Sequence, residues 1–214
     1  DGTLVDSQAH IIASMAAAFA EVNRPVPDRE TILSIVGLSL PVAMRELAPE
    51  VDETRLEHMV EAYKSAFHHH RLAQGAAASP IYPGAEEAVR RLGAREDVML
   101  AIATGKSRRG LTGLMEGWDF ADLFVSTQSA DDHPSKPHPS MVFACLAETG
   151  VATQDAVVIG DTTYDMEMAR AARAGAFGVR WGYHGKEALL SAGALAVLDR
   201  FDQLDAALDD IWKG

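Results

Sequence analysis

Apolar residues change their spacing near residue 80, and this change divides the sequence into two parts. Before residue 80 they recur at helical intervals, as in the stripe formed by Ile11, Met15, Phe19 and Val22. Prolines, glycines and capping residues separate the helical segments, which we predict over roughly 7–22, 28–35, 41–47 and 52–72. No segment of this part has the continuous apolar run of a buried strand. We therefore predict an all-helical domain over residues 7–79.

After residue 80, short apolar runs alternate with helical segments. The runs cover 98–103, 123–125, 156–159, 177–181 and, more weakly, 196–198, and the helical segments cover 84–94, 108–116, 138–149, 163–174, 185–192 and 201–212. Runs that are apolar without alternation are typical of strands buried on both faces, and helices between them indicate a parallel sheet. We predict an α/β fold, with a doubly wound, mostly parallel, Rossmann-like core formed by residues 1–6 and 80–214. The helical domain is inserted after the first loop of this core.

Four unusually polar loops lie at the chain start and after three of the predicted strands, where open α/β sheets bind their ligands. They are 1–7, 104–107, 135–139 and 160–165. Together they supply carboxylates, a hydroxyl, a fixed cation and backbone N–H groups. Carboxylate oxygens are ligands that Mg²⁺ prefers, and a lysine with a hydroxyl can hold the oxygens of a phosphoryl group. The loops therefore favour phosphoryl-transfer chemistry.

Composition and charge restrict the partners of such a site. The chain has 214 residues, with 19 Lys and Arg against 31 Asp and Glu, so its formal net charge is −12. An acidic chain is a poor electrostatic partner for nucleic acid or an anionic membrane, and no apolar run reaches transmembrane length. The single cysteine, Cys145, excludes an internal disulfide and fits a reducing compartment. We expect a cytoplasmic protein that acts on a small phosphorylated molecule, with a monomer as the default state.

The order and spacing of four motifs resemble the haloacid dehalogenase superfamily, in its phosphatase branch with a small helical cap. That family carries Asp-x-Asp-Gly-Thr, then a Thr or Ser, then a Lys, then Gly-Asp-x-x-x-Asp. The matching residues here are Asp1-Gly2-Thr3, Thr104, Lys136, and Gly160-Asp161 with Asp165. The segments 82–84 and 181–184 look like those of phosphoglycolate-phosphatase-type members. The resemblance spans the whole chain and implies that residues 7–79 are the cap.

The resemblance also implies how the catalytic work is divided. The family's nucleophile would lie two residues before Asp1, and we expect the first, central strand of the core to lie upstream as well. Asp1 would protonate the leaving oxygen and later activate the water that hydrolyses an aspartyl-phosphate. Its backbone carbonyl and the Asp161 carboxylate would hold Mg²⁺, with Asp165 supporting them. Asp161 and Asp165 also have a simpler interpretation, as a helix cap and a first-turn carboxylate favoured by the helix dipole.

The phosphoryl group has its own implied partners. Thr104 and the Gly105 N–H would hold it, and Lys136 would screen the repulsion between an anionic substrate and the carboxylates. Two other functions stay open, a sugar-phosphate mutase on the same scaffold and a catalytically silent phosphate-binding module. Mutases of this type carry Asp-Gly-Val where this chain has Thr3, and a His at the position of Ile11. Both differences favour a phosphatase.

Several basic residues have both a functional and a structural interpretation. Arg108 and Arg109 could attract an anionic substrate or form a surface pair at a helix start, and the sequence does not decide between these roles. The three consecutive histidines at 68–70 are more typical of an exposed helix end than of a metal site, because consecutive helical residues point in different directions. In the cap, Arg45 and Lys64 are the basic residues to test for substrate contact.

Overall fold

The first part of the chain folds into four α-helices. The structure is a computed structural model that describes residues 1–212. The helices are α1 (Gln8–Glu21), α2 (Arg29–Ser34), α3 (Leu40–Leu47) and α4 (Glu53–Gln74). Each of them confirms a helix predicted from apolar spacing. Within residues 1–212, no helix combines the length and the apolar character needed to cross a membrane.

Local capping explains where two of these helices begin and where the longest one ends. The Asp28 side chain accepts a hydrogen bond from the Thr31 N–H at the start of α2, and Asp52 accepts one from the Arg55 N–H at the start of α4. Such acidic caps satisfy N–H groups that have no partner inside the helix. Helix α4 ends at Gly75, whose φ of 58° is a backbone conformation that glycine adopts readily.

The four cap helices enclose a hydrophobic core of their own. Its largest fully buried side chains, all less than 2% exposed, are Met15, Ile32, Met44 and Met59. Tyr183, which lies far away in the sequence, packs against this cluster from the α/β part of the chain. The cap is therefore held together mainly by apolar burial, and one aromatic residue of the core joins it.

The second part of the chain alternates strands and helices as predicted. The strands are β1 (Leu100–Thr104), β2 (Phe124–Ser129), β3 (Val157–Gly160), β4 (Gly175–Val179) and β5 (Ala196–Leu198). The helices are α5 (Ala85–Gly93), α6 (Arg108–Met115), α7 (Ser140–Thr149), α8 (Thr163–Ala172), α9 (Lys186–Ala192) and α10 (Leu204–Trp212). All strand pairs of these five strands are parallel, which confirms the predicted α/β class.

Two strands end more than one residue away from their predicted ends. Strand β2 continues to Ser129 because its polar residues are buried and bonded; the Gln128 side-chain amide, for example, donates to the Ser126 hydroxyl at 2.9 Å. The fourth strand ends at Val179, so the prediction that it reaches residue 181 is wrong. Trp181 lies in the following turn, where its indole N–H donates to the Thr3 carbonyl at 2.9 Å.

The parallel strands form two sheets with a cavity between them. One sheet has the order β1-β2 and the other β3-β4-β5. The cavity measures about 1440 Å³, and its lining includes Leu100 and Ile102 from one sheet and Val157 and Ile159 from the other. Among residues 1–212 no strand pairs with the facing edges of β1 and β3. The expectation of a central strand upstream of Asp1 stays a prediction.

The buried core of the cap allows a test of its stability. Met59 is fully buried in α4, so Met59→Ala leaves a cavity and should lower the free energy of unfolding by about 2–5 kcal/mol. Leu72 lies on the same helix with 66% of its surface exposed, and Leu72→Ala should change stability by less than about 0.5 kcal/mol. Urea unfolding followed by far-UV circular dichroism measures both. Equal effects of the two changes would contradict the packing described for the cap.

Candidate active site

The predicted functional residues come together at one end of the strands. The chain start, the β1–α6 loop, the loop after β2 and the β3–α8 loop all border the same cavity. The six predicted site residues that line it are Asp1, Thr104, Gly105, Lys136, Asp161 and Asp165. Because the carboxyl ends of parallel strands share one edge of a sheet, residues far apart in sequence meet there.

Asp161 follows β3 and is fixed from several sides. Its Oδ1 accepts a hydrogen bond from the Thr3 hydroxyl at 2.8 Å, and its Oδ2 accepts one from the Tyr183 N–H at 3.0 Å. Gly2 and Gly182 lie so close that a side chain at either position would overlap this residue. Burial, together with the negative charge of Asp165, raises the pKa of the Asp161 carboxyl to about 6. The site therefore holds a carboxylate in one orientation and favours a cation beside it.

Asp165 and Lys136 form a buried ion pair. The Lys136 Nζ lies 2.6 Å from Asp165 Oδ1, and the side chains are 7% and 8% exposed. Asp165 Oδ2 accepts hydrogen bonds from the Thr162 N–H at 3.0 Å and from its hydroxyl at 2.7 Å. Burial opposes ionisation of Asp165, but the charge and hydrogen bond of Lys136 outweigh it, so the Asp165 pKa lies below its usual range.

The same contacts test whether Asp161 caps helix α8 and whether Asp165 is a carboxylate of its first turn. Helix α8 begins at Thr163, and its N-cap is Thr162, which forms a reciprocal capping box with Asp165. Asp165 is thus a first-turn carboxylate as well as a site residue. Asp161 does not cap the helix, so this interpretation of Asp161 is wrong.

Lys106, which we did not single out from the sequence, lies beside Asp1. Its Nζ is 3.0 Å from Asp1 Oδ1, and the two side chains are 12% and 14% exposed. The Lys106 backbone N–H donates to the Thr104 hydroxyl at 3.2 Å, which shapes the loop after β1. Burial lowers the pKa of the Lys106 ammonium to about 8. Lys106 is therefore a second basic residue, besides Lys136, that lines the cavity.

Three of the contacts between the cap and the loops of the core involve Gly105, Ser135 and His184. Gly105 lies directly under the cap, because a Cβ atom there would be 2.6 Å from the Gly37 carbonyl oxygen. The Ser39 N–H donates to the Ser135 hydroxyl at 2.8 Å. His184 makes the third contact. These contacts close the cap over the ends of the strands.

His184 links the cap to the start of α8. The Thr163 N–H donates to His184 Nδ1 at 3.0 Å, and Nε2 lies 3.0 Å from the Ser34 carbonyl oxygen. Since Nδ1 accepts, the ring proton is on Nε2 and donates to Ser34. Partial burial also lowers the His184 pKa, which favours this neutral form. The ring therefore connects the cap to the loop that carries Asp161.

The basic residues of uncertain role have separate positions. Arg45 bonds to Glu53 and to the Val51 carbonyl within the cap, and Lys64 pairs with Glu61 on its own helix at 2.8 Å, so neither contacts a site residue. Arg108 pairs with Asp132 at 2.8 Å in the core. The Nη2 of Arg109 lies 3.1 Å from His68 of the cap.

The three consecutive histidines do not converge. His68 faces Arg109, His69 faces the Ser65 hydroxyl, and the His70 ring packs edge-on against the His10 ring. Within residues 1–212, no three His, Cys, Asp or Glu side chains are arranged to hold a metal ion. Helix α4 continues to Gln74 beyond these residues, and only His69 is exposed, so the prediction of an exposed helix end holds for His69 alone.

The donor set at Asp161 nevertheless fits Mg²⁺. This ion commonly takes one or two carboxylates and completes its shell with water and phosphate oxygens, so it does not need three protein side chains. The Asp161 carboxylate has a raised pKa and forms no ion pair with a lysine in the described part of the chain, residues 1–212. This carboxylate and the Asp1 backbone carbonyl are oxygen donors of the required kind. Both oxygens of Asp165 already accept hydrogen bonds, which suits a supporting role.

Comparison with known proteins places this arrangement in a family. The sequence model of haloacid dehalogenase-like hydrolases matches residues 1–179. The chain is 31% identical to a probable phosphatase, IndB, of Dickeya dadantii over 100% of its own length and 92% of the relative's. It is 27% identical to a phosphoglycolate phosphatase of Pseudomonas savastanoi, covering 98% of this chain and 78% of that one. The crystal structure of a hydrolase from Pseudomonas syringae, 26% identical, superposes with a TM-score of 0.84 over 99% of this chain and 95% of that chain. The chain belongs to the haloacid dehalogenase-like hydrolase family.

Proposed function

We propose that this chain builds the active site of a Mg²⁺-dependent phosphatase that hydrolyses a small phosphate monoester. The observation that carries the proposal is the meeting of the buried Asp161 carboxylate, the buried Lys136 ammonium and the Thr104–Gly105 loop around one cavity. Phosphoryl transfer needs this combination, because negative charge on the transferred group must be held and neutralised while a second anion attacks it.

The residues of this chain divide the work of binding and proton transfer. The Thr104 hydroxyl and the Gly105 N–H hold oxygens of the phosphoryl group, and Lys136 offsets their charge. The Asp1 carboxyl gives a proton to the leaving oxygen and later takes one from the attacking water. Asp1 Oδ1 is buried and lies 3.0 Å from the Lys106 ammonium, which holds this carboxyl at the cavity.

The nucleophile and the metal complete the proposed mechanism. The family resemblance implies an attacking carboxylate two residues before Asp1; its oxygen would form the bond to phosphorus while the bond to the leaving oxygen breaks, giving an aspartyl-phosphate. Mg²⁺ bound by Asp161 and the Asp1 carbonyl would neutralise and orient the phosphoryl oxygens. Asp165 positions Lys136 through their 2.6 Å contact.

The substrate we propose is a small phosphorylated metabolite resembling phosphoglycolate. Relatives over nearly the whole chain carry the name phosphoglycolate phosphatase. The closed cap supports a small substrate, because Gly37 and Ser39 lie directly against the Gly105 and Ser135 loops. The net charge of −12 argues against nucleic acid as a partner. We keep a cytoplasmic location and a monomeric state as part of this proposal.

Removing the charge of Asp161 tests the metal assignment. In a protein that carries the proposed nucleophile before Asp1, Asp161→Asn should lower the rate of Mg²⁺-dependent hydrolysis of 4-nitrophenyl phosphate by about two orders of magnitude or more. The reason is that an amide is a weaker metal ligand than a carboxylate. Asp202→Asn, at an exposed carboxylate paired with Arg200, is the matched control and should keep its activity. Phosphate release by Asp161→Asn in EDTA at the wild-type rate would overturn the metal role. Ranking phosphorylated metabolites by kcat/KM then identifies the substrate.

The Lys136–Asp165 pair gives a pH-dependent prediction for stability. The lowered pKa of Asp165 contributes stability above the usual carboxyl pKa, and this contribution is lost as pH falls through the folded-state pKa. In Lys136→Met the burial remains without its cation, so the Asp165 pKa rises and ionisation destabilises the variant as pH increases. The loss of stability should reach about 3–5 kcal/mol near neutral pH and shrink towards pH ~5.

Urea unfolding in EDTA at several pH values measures this difference. Lys186→Met, at an exposed lysine of α9, is the control and should change stability little at any pH. A destabilisation of Lys136→Met that is the same at pH ~5 and pH ~7.5 would contradict the assigned role of Lys136 as the cation that keeps Asp165 ionised.

A further inference from the structure

Helix α4 of the cap lies against the β1–α6 region of the core in a series of contacts. The Phe67 ring lies under Lys106, with Nζ 4.5 Å from the ring centroid. One turn further along, Arg71 Nη1 donates to the Gly113 carbonyl at 2.7 Å. Between them, His68 meets Arg109. We call this set, Phe67, His68 and Arg71 facing Lys106, Arg109 and Gly113, the cap–core seam.

The seam carries more positive than negative charge in a chain whose net charge is −12. Its basic side chains are Lys106, Arg109 and Arg71. Lys106 pairs with Asp1, and Arg71 lies 3.9 Å from Glu116, but among residues 1–212 no carboxylate forms an ion pair with Arg109. The arginines Arg91 and Arg95 elsewhere in the core do pair with carboxylates.

The Arg109–His68 contact keeps the arginine available for a further partner. A guanidinium only donates hydrogen bonds, so His68 Nε2 accepts from Arg109 Nη2 and the ring is neutral. Partial burial lowers the His68 pKa, and the charges of Arg109, Arg71 and His69 lower it further. The contact with His68 uses one of the five N–H donors of Arg109. Because the His68 ring is neutral, this contact leaves the positive charge of the guanidinium unneutralised.

The seam is continuous with the proposed phosphoryl site. Lys106 joins the two regions: its N–H donates to the Thr104 hydroxyl at 3.2 Å, and its Nζ lies 3.0 Å from Asp1 Oδ1 and over the Phe67 ring. Arg109 follows three positions later, exposed in the first turn of α6. A molecule whose phosphoryl group rests at Thr104 and Gly105 therefore has the seam beside it. An anionic group attached to the same small molecule would find there an arginine without a carboxylate partner.

From this geometry we infer that the cap–core seam binds a second anionic group, a carboxylate or a second phosphate, on the phosphate monoester that the site hydrolyses. Arg109 is the principal donor, and His68 fixes its orientation. The inference rests on the proposed phosphatase function and deepens it, because it assigns the residues that would recognise the second anionic group of the substrate. Charge-assisted hydrogen bonds from arginine suit both anions, since the planar guanidinium matches their oxygen geometry.

Matched pairs of esters test the inference. 2-Phosphoglycolate and ethyl phosphate differ only in a carboxylate that replaces a methyl group, and propane-1,3-diol bisphosphate and propyl phosphate differ by a second phosphate. The measured quantity is the ratio of kcat/KM within each pair. We expect Arg109→Gln to lower that ratio by about tenfold to hundredfold for the pair whose anion the seam binds. The pair of esters whose kcat/KM ratio falls in Arg109→Gln shows whether the seam binds a carboxylate or a second phosphate.

Two further variants separate a binding role from a general charge effect. Arg170→Gln removes one positive charge from an exposed position of α8 outside the seam and should leave both ratios at their wild-type values. Arg109→Lys keeps the charge and should retain more of the ratio than Arg109→Gln. The inference is overturned when Arg109→Gln leaves both ratios unchanged, when Arg170→Gln lowers them equally, or when the lysine variant is as weak as the glutamine variant.

A binding measurement separates failure of this inference from failure of the proposed function. If no ester is hydrolysed, the phosphatase proposal fails, and thermal unfolding with each ester still decides the seam. 2-Phosphoglycolate or the bisphosphate should then raise the melting temperature more than its matched monoester, and Arg109→Gln should remove the difference. Equal stabilisation by both members of each pair would overturn the seam as an anion site.

Discussion

The arrangement of the site depends on how buried negative charge is neutralised at the end of the β3 strand. Asp161 and Asp165 are four positions apart, and both are more than nine-tenths buried. Lys136 neutralises Asp165 at 2.6 Å, while among residues 1–212 the side-chain oxygens of Asp161 receive hydrogen bonds from neutral donors only. An unpaired buried carboxylate is costly, so the loop is stable in this form only where a cation or a proton can join Asp161. The need to neutralise Asp161 and the proposed binding of Mg²⁺ therefore concern the same carboxylate.

Three partners of these carboxylates come from different parts of the chain. Lys136 belongs to the loop after β2, Thr3 to the chain start and Tyr183 to the turn after β4. Tyr183 packs against the apolar cluster of the cap as well. The Asp161 carboxylate therefore contacts the first loop through Thr3 and the apolar cluster of the cap through Tyr183.

The fold was largely predictable because its signals are local. Helical spacing around Met15 and Phe19 and continuous apolar runs such as 156–159 identify their elements without knowledge of distant partners. The end of β2 was not predictable, since Ser126 and Gln128 are polar and are buried through hydrogen bonds with each other and with His133. Likewise, the residues at the ends of the strands could be expected to meet. The contacts of Lys106 and His184 could not, because they form only where the cap lies against the core.

The cap and the β1–α6 loop meet at Gly105 and Gly37, and the close approach there is between main-chain atoms. Closure at that point therefore requires glycine at position 105, because any side chain there would meet the cap backbone, whereas in the proposed mode of binding the side chains along α4 and α6 select the ligand. On that proposal, sequence change on those two helices alters what is bound and leaves the glycine contact unchanged. A scaffold of this kind separates the evolution of selectivity from that of closure, provided both glycines are kept.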